Sequence, residues 1–361
     1  MRHLLAPLRR LCASTALPAL LLALLLPASL AQAGALDNAK PLPKPVKMRF
    51  CLFDPMGAGG DITSRARDLA LEAQKWNLFV EIKSYMDERV AAEDFKAGQC
   101  EGVAMTTLRA KQFNRMVGSI DSPGNLPDYE HVKSLLKTLS NPVLASLGIN
   151  GRYQVVGVAP IGSIFVVVND RSINSIEKAA GKKVVVLDWD PSMGKMISSI
   201  GAQPVPADLT TYAGKFNNGQ ADIIAAPAMA YQPMELYRGI GKKGGIINFP
   251  LLQATGTVLI RRDLLLPKIP DLDLRLTQVR EYGMQHIDTL IDMLKKGEKD
   301  IPKHLWVELS AEEKLKYSRM LREARIYMTR EGVYDPTMMN ILKRVRCKHS
   351  PANEECATFD E

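Results

Sequence analysis

The chain has 361 residues, with 47 lysines and arginines against 39 aspartates and glutamates and a formal charge of +8. This is a mild basic excess on a chain long enough for two lobes. The basic residues fall in short scattered clusters (Lys242-Lys243, Lys295-Lys296, Lys343–Arg346) without interleaved aromatics, which argues against a nucleic-acid-binding surface. After residue 33 no stretch reaches the roughly 18 consecutive apolar residues of a membrane-spanning helix.

In chain order, Arg2, Arg9 and Arg10 precede an apolar run from Leu11 to Leu30, which ends at Ala31-Gln32-Ala33. That order predicts a secretory signal, residues 1–33, cleaved after Ala33, and a periplasmic location. Pro18 and Pro27 interrupt the run and argue against a retained anchor. Arg9 and Arg10 stand where a lipoprotein signal built on Cys12 needs small or apolar residues. Residues 34–46 read as a proline-rich leader.

From residue 47 strands alternate with helices. Lys47–Phe53 reads as a strand, 54–61 as a glycine-rich turn, and 62–76 as a helix. That helix has Ile62, Ala66, Leu69, Ala70, Ala73 and Trp76 on one apolar face and Asp61 as its N-cap. A strand at 78–82, a helix at 88–97 and a strand at 101–105 follow. The middle repeats the plan. Strands at 153–158 and 164–168 are separated by an Ala159–Ser163 loop. A short helix at 175–180 and a strand at 183–187 follow. After a turn at 188–193 come a helix reaching Ile200, a short strand at 204–205, a helix at 211–217 and a strand at 222–226. Segments 246–248 and 256–261 read as extended returns to the first block, and 271–296 and 311–329 as helices. Such alternation implies mostly parallel sheets with helices on both faces. The expected fold is α/β, in two blocks of a chain long enough for two lobes. Residues 47–155 with a return segment at 246–272 form the first lobe and 156–245 the second. Helices at 273–345 coat both, and 346–361 is a tail.

Without Cys12, four cysteines remain, which allow three pairings. Cys51 lies in the first strand and Cys100 opens the third. In many doubly wound sheets these strands are neighbours, so the layout favours Cys51–Cys100 and leaves Cys347–Cys356 to pin the tail. An oxidising compartment favours bridges. The spacings do not suit zinc, and neither a metal nor a cofactor is expected.

The sharpest local signal is Asp54-Pro55-Met56-Gly57-Ala58-Gly59-Gly60-Asp61, a strand-to-helix loop. Its glycines let backbone N–H groups approach a ligand at a helix N-terminus. It lacks the last glycine of a dinucleotide fingerprint and the Gly-Lys-Ser/Thr of a phosphate loop. Ligands of open α/β sheets sit beyond strand carboxyl ends. That selects Asp54, Met56, Gly57, Gly59, Gly60 and Asp61 here, then Thr106 and Thr107, Gly162 and Ser163, Asp188, Trp189 and Ser192, and Tyr231. Trp189 between two acids is suited to stacking on a cation or a ring. No catalytic constellation appears: the histidines at 131, 286, 304 and 349 lie away from these loops, and no His-Glu-x-x-His is present.

The run Phe53–Arg65, with Gly-Ala-Gly-Gly-Asp-Ile-Thr-Ser-Arg, is similar to the first loop and helix of tripartite tricarboxylate receptors. Ser175–Lys183, Ile200–Pro206 and Tyr212–Asp222 resemble the second lobe of TRAP-type (DctP-like) extracytoplasmic receptors. Over residues 47–345 the chain resembles AdeT-like solute-binding proteins, some labelled as associated with RND-type efflux. The resemblance implies a two-lobed α/β fold like that of type II periplasmic binding proteins, and a non-catalytic receptor that closes about a hinge on a small polar solute, often a carboxylate. It would deliver that solute to an inner-membrane transporter. The alternative is an adaptor partnered by efflux or sensor components. TRAP-type receptors place a carboxylate-clamping arginine where this chain has Val185, within an all-apolar strand. Arg152 is the weak substitute, and Arg109 reads as a surface helix residue.

Overall fold

Strand-forming runs rich in Val, Ile and Phe build a single mixed sheet in the computed structural model of the chain, which describes residues 40–361. The signal expected at residues 1–33 and the first part of the expected leader lie outside the described residues. The strands are β1 (Val46–Phe53), β2 (Leu78–Tyr85), β3 (Gly102–Thr106), β4 (Ile149–Asn150), β5 (Tyr153–Val168), β6 (Lys183–Leu187), β7 (Gln203–Ala207), β8 (Ile223–Pro227), β9 (Gly245–Arg261) and β10 (Trp306–Val307). Their order is β2-β1-β3-β9-β5-β8-β6-β7, with β4 beside β5 and β10 beside β9.

The register explains why a gap exists. β1, β2 and β3 are mutually parallel, and β9 runs against β3. β5 runs against β9, β8 against β5, and β6 and β7 follow β8. The parallel strands of the two half-sheets therefore point at each other with their carboxyl ends. β3 ends at Thr106, level with Gly256 of β9 and Ala159 of β5. β8 ends at Pro227, level with Ile164 of β5. Among the described residues only β5 and β9 cross the interval from Ala159 to Ile164, roughly 16 Å at about 3.3 Å per residue.

The expected Ala159–Ser163 loop is thus strand: β5 is continuous, with register irregularities beside Gly157 and around Gly162. Likewise 246–248 and 256–261 are the two ends of one strand, β9. Pairing along nearly their full length overrides the local Pro-Ile-Gly signal, and Gly162 absorbs the irregularity at φ +133°. The predicted 271–296 helix is two, Leu272–Gln285 and Ile287–Lys299, meeting at His286.

Each half-sheet is packed on both faces. In the first half Cys51, Phe95, Val103, Leu135 and Met338 fill one face. Met48, Val156, Ile260 and Leu276 fill the other. In the second, Val185, Phe216 and Ile224 oppose Val168, Val184 and Ile223. Burial on two faces accounts for the all-apolar Val184–Leu187 run. Disulfides join Cys51 to Cys100 and Cys347 to Cys356, with Cα atoms 5.8 and 5.6 Å apart. The first follows from β1–β3 pairing, which sets Cys51 opposite Val103. The tail beyond the second is held by a buried cluster in which Arg325 and Arg346 share Glu355 and Glu361.

One helix departs from its expected packing. Asp61–Ala73 buries only Thr63 and Ala73, while Ile62, Leu69 and Leu71 are exposed. The small residues of the helix lie against edge strand β2, so its large apolar side chains flank the contact. Among the described residues no helix is long and apolar enough to cross a membrane.

Candidate functional site

The glycine loop at the end of β1 is organised around its own carboxylate. Asp54, 2% exposed, accepts from the backbone of Met56 (2.9 Å) and from both the backbone (2.9 Å) and hydroxyl (3.0 Å) of Thr63. The Thr63 hydroxyl also lies 2.8 Å from Gly57 O, so its single proton is shared between that carbonyl and Asp54. Gly60, not Asp61, is the N-cap of helix Asp61–Ala73 and supplies no side chain. Asp54 caps the helix from outside it by bonding the third helical N–H. A Cβ on Gly60 would stand 2.1–2.4 Å from that carboxylate. Gly57 holds φ +63° against Met86, and Met56, Gly59 and Asp61 are exposed. The carboxylate at this helix end is the chain's own Asp54.

The other strand ends fall into two groups. Thr107, Ser163 and Gly162 face inward. The Thr107 hydroxyl is hydrogen-bonded to Thr255 and Thr257, and Thr255 donates to Asp121. Asp121 is fully buried, and burial pushes its carboxyl up to about 7. Ser163 donates its N–H to the Tyr129 hydroxyl, and its own hydroxyl meets Gln253. A Cβ on Gly162 would also touch the Tyr129 hydroxyl, at 3.5 Å. Tyr231 is buried against the edge of Tyr237.

The second group meets across the gap. Thr106 caps the short helix Thr107–Ala110 by accepting from Arg109 N. This turn carries the Arg109 side chain back over the strand end, where its guanidinium lies 3.9 Å from the ring centroid of Trp189, just beyond β6. Arg109 is therefore not the surface residue expected; its side chain is 11% exposed. The cation stacked on Trp189 is the protein's own. Beneath it Glu88, 1% exposed, accepts from Thr106 N at 2.5 Å through Oε1. Its Oε2 faces Arg109 Nε at 3.7 Å, an ion-pair distance too long for a hydrogen bond. Burial, opposed by the Thr106 bond and Arg109, raises the Glu88 carboxyl to about 7. Burial also lowers the Arg109 pKa, opposed by the charges of Glu88, Asp87 and Asp188. One step outward Lys111 pairs with Asp190 at 3.3 Å. Asp190 caps helix Pro191–Ser199 through Ser192 N and holds the Ser192 hydroxyl.

Among the described residues the Arg109 guanidinium makes no hydrogen bond, although it carries five N–H donors. Glu88 Oε2, Arg109 Nε and Trp189 Nε1 are all buried without a hydrogen-bond partner. Buried polar atoms without a partner are uncommon in a folded chain, and three of them adjoin here. Arg109, Lys111 and Arg115 from the first half and Trp189, Ser192 and Met196 from the second line a cavity of about 1470 Å³. Met320 and Tyr327 of the helix Ala311–Arg330, and Glu331 at its end, line it too. Of the residues selected from sequence, only Trp189 and Ser192 line this cavity. Thr106 supports it from behind, Asp188 is exposed beside it, and the 54–61 loop does not reach it. Arg152 is exposed at the start of β5, far along the strand from the gap. Strand-end reasoning stopped at Thr107; carried one helical turn further, it reaches Arg109. No group of three His, Cys, Asp or Glu among the described residues is placed to hold a metal.

Among solved structures, a TRAP periplasmic solute-binding protein from Desulfovibrio salexigens with bound orotic acid superposes at a TM-score of 0.68. It is 15% identical and covers 84% of this chain and 99% of its own. The ectoine-binding protein of the TRAP transporter TeaABC of Halomonas elongata gives 0.66 at 15% identity, covering 83% and 99%. At such identities the likeness establishes the fold. Sequence relatives are nearer. The probable solute-binding protein AdeT1 of Acinetobacter baumannii is 42% identical over 310 residues, 86% of this chain and 100% of the relative. Probable solute-binding protein AdeT2 of the same organism is 28% identical over 240 residues, 66% and 98%. The model of the family described as solute-binding protein AdeT 1/2 matches residues 69–361, and the chain belongs to that family.

Proposed function

We propose that this protein is a periplasmic receptor that captures a small carboxylate-bearing solute between its half-sheets and delivers it to an inner-membrane transporter, without catalysis. The observation that carries the reading is Arg109: a largely buried guanidinium, oriented by a tryptophan of the opposite half, with its hydrogen-bonding fork unengaged. Such a fork suits a carboxylate bidentately. It offsets the missing arginine at Val185, which is buried in β6. TRAP-type structures of this fold carry bound orotic acid, succinate and glucuronate, which supports the solute class. The signal at residues 1–33 supports export. The lobes expected at 47–155 with 246–272, and at 156–245, would close by hinge motion of β5 and β9.

Calorimetry against a panel of small carboxylates tests this. We expect one site, and a loss of at least about tenfold in affinity for Arg109→Ala that Arg109→Lys restores only in part. If no acid binds, or if Arg109→Ala binds as tightly as the parent, the reading fails.

A further inference from the structure

The size and walls of the cavity narrow the solute class, an inference that rests on the receptor reading above. Its volume of about 1470 Å³ exceeds the roughly 300–1,000 Å³ of sites that enclose drug-sized molecules. An acid of a few carbons held at Arg109 leaves most of that space to water. Helix Ala311–Arg330 presents two adjoining rows of i, i+4 spacing to the cavity: Met320, Ala324 and Met328 in one, Glu323, Tyr327 and the C-cap Glu331 in the other. Met196 and the C-cap Ile200 of helix Pro191–Ser199 line it from the second half, and Leu108 from the first. Leu108 packs against the second half's core and Met196 against the first's, so apolar side chains cross the gap in both directions.

These walls are not a finished core. Met196, Ile200 and Met320 are only half-buried and Tyr327 is 53% exposed, so apolar surface stays in water unless a guest covers it. Unbranched and polarisable, the methionines adapt to an irregular apolar body. Charge is spread unevenly around them. Arg109, Lys111 and Arg115 stand on one segment, and Lys195 is exposed on helix Pro191–Ser199, whereas the charged residues of the Ala311–Arg330 wall are the acids Glu323 and Glu331. Lys111 is paired with Asp190 and Arg115 with Asp335, which leaves the Arg109 fork as the anchor. A second carboxylate carried to the helix wall meets apolar side chains or like charge. We propose that the solute is an amphiphilic organic acid, its single carboxylate on the Arg109 fork and its apolar body along Met196, Ile200, Met320 and Tyr327.

The test uses the straight-chain monocarboxylates from butanoate to decanoate and the dicarboxylates of the same carbon counts, titrated calorimetrically into the disulfide-intact protein. Each methylene laid against the apolar walls should tighten monoacid binding about threefold. The longest monoacid should bind at least about tenfold more tightly than its matched diacid. Ala324→Gln, which puts an amide into the apolar row, and Tyr327→Ala, an exposed truncation, should each weaken the longest monoacid at least about fivefold and leave the shortest measurable one unchanged. Thermal melting checks both folds, and Tyr327→Ala decides the matter if Ala324→Gln melts early. Affinity that stays flat with chain length, diacids that bind as tightly as their monoacids, or a folded Tyr327→Ala that weakens short and long acids alike would overturn the proposal and leave the carboxylate receptor standing. Binding of neither series would overturn both.

Discussion

Gly60→Ala isolates the device that shapes the first loop. The new Cβ would stand 2.1–2.4 Å from the Asp54 carboxylate, far inside contact distance. Asp54 must then leave some of its three hydrogen bonds to Met56 and Thr63. Hydrogen bonds to a charged group contribute about 1.5–3 kcal/mol each, and the displaced carboxylate is buried. Losing one or two of them costs about 3–5 kcal/mol, a fall in Tm of about 4–7 °C for a chain of this size. Gly59→Ala is the control: its Cβ meets nothing within 4 Å and its φ is not positive, so stability should stay within about 1 kcal/mol of the parent. Differential scanning calorimetry on both variants, and on Gly60→Ala in an Asp54→Ala background, completes a double-mutant cycle. Most of the Gly60→Ala cost should vanish once Asp54 is gone. Equal melting of the two glycine variants, or additive costs in the cycle, would refute the claim that Asp54 occupies this helix end.

Other outcomes follow from the buried groups. Glu88 and Asp121 have folded-state pKa values raised to about 7, so folding binds protons between their ordinary ranges and pH 7. Their contribution is complete below their ordinary carboxylate range and lost as pH rises through about 7, whereas the contributions of Asp128 and Glu101, held low, are constant over this interval and are lost only at more acid pH. Melting at pH 5 should therefore exceed melting at pH 8, by less in Asp121→Asn; a Tm that rises over this interval would contradict the assignment. Removing the Cys51–Cys100 bridge, with a sequence separation of 49, should cost about 4 kcal/mol, and removing Cys347–Cys356, with a separation of 9, about 3 kcal/mol. Denaturant titration of the two double-alanine variants checks the order. Glu355→Ala leaves Arg325 and Arg346 short of a shared partner and should cost about 3–5 kcal/mol. A loss below about 1 kcal/mol would show that Glu361 alone suffices.

The sequence by itself determined what depends on neighbours in the chain. Alternating apolar runs and capped helices located β1, β3 and β6 and the parallel half-sheets. The position of Cys51 in one strand and Cys100 before another anticipated their bridge, because strand order brings those ends together. The all-apolar Val184–Leu187 was legible as a strand buried on both faces. Tertiary structure decided what depends on groups distant in sequence. Pairing of β5 with β9 drew a Pro-Ile-Gly segment into a continuous strand, since ladder bonds along its length outweigh a local turn preference. The glycine loop looked open to a ligand because sequence cannot show that Asp54 turns back into it. Arg109 looked like a surface residue because Trp189, 80 positions later, comes to lie under its guanidinium only when the two half-sheets aim their carboxyl ends at one gap.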